Sequence, residues 1–126
     1  MAVDAHIDWD DGLILFTVRG PLLRADMEAA LSSVYADAER SLPSTYLWDL
    51  REAEIDWSGE QVKEFVHWVL ANRPEGTSRN AVVASSDLHF GLARMYEALT
   101  SDLPVNLSVF RDMDEARAWV TGTSVA

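Results

Sequence analysis

A chain of 126 residues, 48% hydrophobic and 25% charged, has the size and composition of one soluble globular domain with a core of its own. Ten Lys+Arg against 21 Asp+Glu leave a net charge of −11, which repels a phosphate backbone and an anionic membrane surface, so no nucleic-acid partner is expected. Cysteine is absent, which excludes disulfides, thiolate metal sites and a cysteine nucleophile. The start, MAVDAHIDWD, has no basic or apolar signal-peptide region, and no window approaches the ~18 apolar residues of a membrane span. A cytoplasmic location is the expectation.

His6 to Trp9 and Leu13 to Val18 are strand-like runs joined by Asp10-Asp11-Gly12, a hairpin signal because glycine accepts the positive φ of the turn. Gly20-Pro21 is expected to stop the second strand. Met27, Ala30, Leu31, Val34, Tyr35 and Ala38 follow helical spacing and predict an amphipathic helix. Its start is poorly capped, with Leu23 and Arg24 where Ser or Asp would be favoured. After the Leu42-Pro43-Ser44 loop, Thr45 to Leu50 reads as a buried parallel strand, and Arg51 to Trp57 as charged and irregular. Ser58 with Gln61 three residues on forms a capping box for a helix whose inner face is Val62, Phe65, Val66 and Val69. Asn72-Arg73-Pro74-Glu75-Gly76 ends it.

Ala81 to Ala84 carries no charge and predicts a central parallel strand buried on both faces. It runs into Ser85-Ser86-Asp87 and a helix with Leu88, Leu92, Met95 and Tyr96 on one side. Asp102-Leu103-Pro104 turns the chain into a last strand, Val105 to Phe110. Asp112, with Glu115 three residues on, opens a final helix pinned by Ala116, Trp119 and Val120, and residues 121–126 are expected to form a flexible tail. The order β-β-α-β-α-β-α-β-α predicts a single α/β domain over 1–126, with a mixed, mostly parallel sheet of about five strands and four helices.

Parallel strands would gather Asp49, Arg51, Ser85, Ser86, Arg111 and Asp112 at their carboxyl ends beside a helix N-terminus. Arg51, Ser85, Ser86 and Arg111 are therefore candidate ligands for a carboxylate or phosphate. The alternative is that each arginine pairs with a neighbouring carboxylate while Ser86 or Asp87 caps the helix. Ser85, Asp87 and His89 crowd one turn and do not make a catalytic triad. His6, His67 and His89 lack metal-ligand spacing, and the isolated glycines make no phosphate-cradling loop. No catalytic residue, metal or cofactor is expected. Trp48, Trp68 and Trp119 fall in apolar stripes, whereas Trp57 sits in a charged loop as a candidate contact residue.

Three segments carry a family likeness: Asp49-Leu50-Arg51 ending the middle strand, Phe90 to Tyr96 (FGLARMY) opening a helix, and Val109-Phe110-Arg111-Asp112 ending the last strand. With the element order, the chain from about Ile7 to Val120 resembles the STAS fold of anti-sigma-factor antagonists. It looks most like the uncharacterised STAS/Sec14-like bacterial proteins of this length. In the antagonists an Asp-Ser-Ser-Gly motif carries the phosphorylated serine. Here the matching residues are Asp56-Trp57-Ser58-Gly59, with a large indole where the family has a small residue. The resemblance implies a non-enzymatic regulatory or protein-interaction module, with Ser58 as the phosphorylation candidate. Asp56, Trp57, Ser58 and Gly59 would be its partner-binding surface, and a homodimer is compatible with it. The Sec14-like side implies an alternative, a module for a small apolar or anionic ligand or a lipid. That alternative places Arg51 or Arg111 at the mouth of an apolar pocket lined by helix faces.

Overall fold

The computed structural model describes residues 2–36 and 43–122. Strands β1 (Val3–Asp8) and β2 (Leu13–Pro21) form an antiparallel hairpin closed by Asp10-Asp11-Gly12, with Gly12 at φ +67°. Strands β3 (Thr45–Glu54), β4 (Ser78–Val83) and β5 (Val105–Phe110) follow in parallel, so the sheet order is β1-β2-β3-β4-β5. Helices α1 (Arg24–Ala36), α2 (Gly59–Asn72) and α3 (Asp87–Leu99) cover one face of the sheet, and α4 (Met113–Thr121) packs on the other. This is the mixed α/β sheet with four helices that the element order predicts.

Strand alternation divides the core between the two faces. Ile14, Phe16, Val18, Trp48, Leu50 and Val82 point toward α1–α3, where the rings of Phe16 and Trp48 stack at 3.9 Å. Leu13, Leu47, Ala81 and Val83 point toward Ala116 and Val120 of α4. Each large apolar side chain removed from water in this way stabilises the fold by about 1.5–3 kcal/mol. The inner face of α2 is as its spacing requires, with Val62, Phe65, Val66 and Val69 all buried. Arg117 of α4 reaches Asp8 and Asp11, tying the hairpin to that helix.

Several boundaries differ from the sequence expectations. Gly20-Pro21 does not stop β2. The strand bulges between Thr17 and Arg19, and Gly20 takes φ +72°, so that Gly20 and Pro21 pair with Ala53 and Glu54. Arg19 N–H donates to Ala2 O, so Pro21 lies beyond the paired residues of β1 and its missing donor breaks no ladder there. The extended β2 gives β3 a partner, and the stretch from Arg51 to Glu54 is strand rather than irregular. Leu88, placed on the inner side of α3 by its spacing, is 65% exposed because it falls in the first turn at the sheet edge. The start of α1 has a cap after all: Asp26 reaches back to accept from Leu23 N–H at 3.2 Å. Thr121 belongs to α4. Ala38, Leu42 and the rest of the expected tail, 123–126, lie outside the described residues.

Candidate functional site

The carboxyl ends of the parallel strands bring together the residues expected there. Ser85 Oγ donates to Arg51 O at 3.3 Å, and Arg111 Nη1 reaches Ser85 O at 3.4 Å. Both guanidinium groups are occupied, however. Arg51 makes a two-pronged pair with Asp49, Nε to Oδ1 and Nη2 to Oδ2, each at 2.9 Å. Arg111 Nη2 lies 2.7 Å from Asp87 Oδ1, and its guanidinium rests on the Phe90 ring. Ser86 caps α3 through His89 N–H. The Arg51 pairing, with its charge-assisted hydrogen bonds, holds the Asp49 carboxyl below the usual range against the opposing effect of its burial. The edge is a set of neutralised pairs and caps, which is the alternative the sequence left open.

The Asp56-Trp57-Ser58-Gly59 turn splits into two parts. Asp56 and Ser58 are exposed, and Ser58 is the N-cap of α2 in a complete capping box. Ser58 Oγ accepts from Gln61 N–H at 3.2 Å, and Gln61 Oε1 accepts from Ser58 N–H at 2.9 Å. Trp57, expected to project as a contact residue, is instead turned inward. Its Nε1–H donates to Leu22 O at 2.9 Å, and its ring meets the Phe65 ring edge-on at 5.5 Å. Gly59 lies against α3, where a Cβ would come within 3.1 Å of the Met95 methyl carbon.

Trp57 lines a cavity of about 280 Å³ between the sheet and α1–α3. Its apolar walls include Leu31 of α1, Phe65 and Val69 of α2, Ala93 of α3, and Trp48 and Val82 of the sheet. At the carboxyl end of the strands the lining residues Leu22, Ile55 and Val62 are buried, and His89 Nε2 accepts from Ile55 N–H at 3.2 Å. At the amino end the lining residues Ser44, Glu75 and Thr77 are exposed, so the cavity reaches solvent there. The mouth is thus at the edge opposite to Arg51 and Arg111, and the arginine beside it is Arg73.

Three phenols also line the cavity. Tyr46, second in β3, lies beside its register neighbour Asn80, while Tyr35 and Tyr96 approach from α1 and α3. Burial pushes all three phenols up, only weakly opposed by the nearby Arg73 charge, so at neutral pH each is an uncharged hydrogen-bond donor. Asn80, 8% exposed, donates from Nδ2 to Ser78 Oγ at 3.1 Å. None of these polar residues was singled out from sequence. The available signal was period-2 alternation, which puts Asn80 on the same sheet face as Val82.

Among the described residues, no group of three or more His, Asp or Glu is placed to hold a metal ion, and no helix is long and apolar enough to cross a membrane. No family model and no curated protein matches the chain. Among solved structures it is similar to an uncharacterised protein of the DUF3478 family from Shewanella loihica PV-4, described as having a SpoIIAA-like fold. The superposition covers 94% of this chain and 92% of the other with a TM-score of 0.61, at 19% sequence identity. Identity at that level speaks to architecture alone, and the architecture is STAS-like: this chain has a SpoIIAA-like fold.

Proposed function

We propose that this chain is a non-enzymatic binding module that holds a small, largely apolar molecule between its sheet and helices α1–α3. The observation that carries the proposal is the cavity itself. Cores are close-packed, so a space of this size between sheet and helices departs from ordinary interior packing. Its volume lies near the lower end of the usual ligand-pocket range, and aromatic walls with a few polar groups at one end are the common lining of such pockets. The test is native mass spectrometry of the chain purified from cells, beside tryptophan fluorescence during titration with an apolar probe. A small non-covalent adduct, with fluorescence changes absent from the cavity-filling variant Ala93→Phe, is the expected result. An adduct-free mass together with identical titrations of both proteins would rule the proposal out.

A second reading, a regulatory protein-interaction module, is favoured by one observation: Asp56 and Ser58 are exposed side by side at the start of α2. On this reading the cavity and the turn are one device, since Trp57 is shared by both. Intact-mass measurement of Ser58→Ala against the natural chain, each isolated from cells, tests it. Phosphate on the natural chain alone supports regulation at Ser58, and no phosphate on either removes that support.

A further inference from the structure

The cavity's polar end differs from its walls in a way that identifies the class of its occupant. The chain carries an excess of carboxylates, and most described arginines have one as a partner. Arg19 pairs with Glu52, Arg24 with Glu28 and Glu64, Arg51 with Asp49, Arg94 with Glu97, Arg111 with Asp87, and Arg117 with Asp8 and Asp11. Arg79 lies over the Trp119 ring and donates to Trp119 O, on the α4 side.

Arg73 is unlike the paired set. It is half-buried at the cavity's amino end, and among the described residues its only acceptors are two backbone carbonyls, Gly76 O at 2.8 Å and Pro104 O at 3.3 Å. Both bonds come from Nη2, which leaves the Nε and Nη1 donors without a described partner. Glu75 lies at the same mouth but is exposed and forms no ion pair with Arg73, so water screens its charge. Half-burying a guanidinium with no counter-ion among the described residues is unfavourable, and an entering anion would offset that cost. Tyr35, Tyr46 and Tyr96 line the same cavity as Arg73. No described residue hydrogen-bonds any of their hydroxyl groups.

We infer that the occupant is an amphipathic monocarboxylate, its acid group held by Arg73 and the phenols of Tyr35, Tyr46 and Tyr96, its apolar body running inward toward Trp57. The inference rests on the cavity reading above. Size sets the body: engineered cavities of about 150 Å³ admit benzene, so this one admits roughly twice that bulk, a chain of about ten carbons. Charge sets the head. A cationic head would be repelled by Arg73, a neutral head could accept its hydrogen bonds but not balance its charge, and a strongly hydrated dianion would be poorly matched to a site with a single guanidinium.

The experiment is calorimetric titration of the full chain with sodium decanoate and, separately, with 1-decanol, using the natural protein and Arg73→Gln. Decanoate is expected to bind the natural protein more tightly than decanol. Arg73→Gln should weaken decanoate by roughly ten- to a hundredfold, the usual scale for a lost charged hydrogen bond, and leave decanol unchanged. Tyr96→Phe serves if Arg73→Gln fails to fold, and should also weaken decanoate selectively. Equal binding of acid and alcohol, or equal weakening of both by the substitution, overturns the head-group assignment while the cavity reading stands. If neither compound binds the natural protein, and Ala93→Phe behaves identically, the cavity reading falls as well.

Discussion

Trp57 Nε1–H donates to the carbonyl oxygen of Leu22 at 2.9 Å, joining the turn before α2 to the end of β2 thirty-five residues earlier. Leu22 N–H in turn donates to Glu54 O, so indole, β2 and β3 form one continuous run of hydrogen bonds. The bond holds inward the one aromatic side chain of the Asp56–Gly59 turn, against the carboxyl end of the cavity. A residue that composition marks as a contact anchor therefore serves as a wall.

Replacing Trp57 with Phe keeps an aromatic wall but removes the donor, leaving the part-buried Leu22 carbonyl short of a partner. The expected loss is about 1–2 kcal/mol, within the range for an unsatisfied buried acceptor. Trp57→Ala also removes the packing against Phe65 and should cost about 3–5 kcal/mol, the scale for an aromatic truncated in a core. Urea unfolding followed by far-ultraviolet circular dichroism measures both, and equal losses for the two variants would mean that the hydrogen bond, not the ring, dominates.

The Asp49–Arg51 pair predicts a pH dependence. Asp49 is held below the usual carboxylate range chiefly by its hydrogen bonds with Arg51. A carboxyl depressed in the folded state contributes stability above its unfolded pKa, and that contribution is lost as pH falls through the folded value. The stability difference between the natural chain and Asp49→Asn should therefore be constant from neutral pH down to about pH 5, then shrink below about pH 4. Urea midpoints collected across this range check the sign. A difference that grows on acidification would contradict the pairing.

The fold was legible because its signals are local. Alternation along Ile14 to Val18, the apolar run from Ala81, and the Ser58–Gln61 box each need only a few neighbouring residues to be read. What misled were positions whose meaning depends on a distant partner. Gly20-Pro21 looks like a stop until Ala53 and Glu54 are found alongside it. Arg111 reads equally as an anion ligand or as one half of an ion pair until Asp87, 24 residues away, is found against it. An apolar pocket lined by helix faces was expected, but its polar end was least legible of all, since Tyr35, Tyr46, Arg73 and Tyr96 lie far apart in the chain and no spacing rule links them.

The reciprocal bonds of Ser58 and Gln61 predict non-additivity. Ser58→Ala should cost about 1 kcal/mol through the lost cap, and Ser58→Asp much less, because aspartate supplies an equivalent acceptor at the positive end of the helix. Gln61→Ala removes the return bond. The double variant Ser58→Ala/Gln61→Ala should lose less than the two single losses added together, since each bond holds the other partner in place. A double-mutant cycle in urea measures the coupling, and strict additivity would show the two bonds to be independent.

Two glycines at helical positions offer a matched comparison. Gly91 is exposed within α3, and a Cβ there would meet nothing within 4 Å. Gly59 begins α2, and a Cβ there would meet the Met95 methyl carbon at 3.1 Å. Both substitutions to alanine reduce the freedom of the unfolded chain by a similar amount. Gly91→Ala keeps that gain and adds the better helix propensity of alanine, so it should stabilise the fold by about 0.5–1 kcal/mol. Gly59→Ala must displace Met95 by a few tenths of an ångström, which the flexible thioether can absorb only by giving up some of its packing. Its net effect should lie near zero, clearly below that of Gly91→Ala. Urea midpoints of the two variants decide the matter, and equal stabilisation would show that Met95 yields without cost, so that the close approach of α2 to α3 does not depend on glycine.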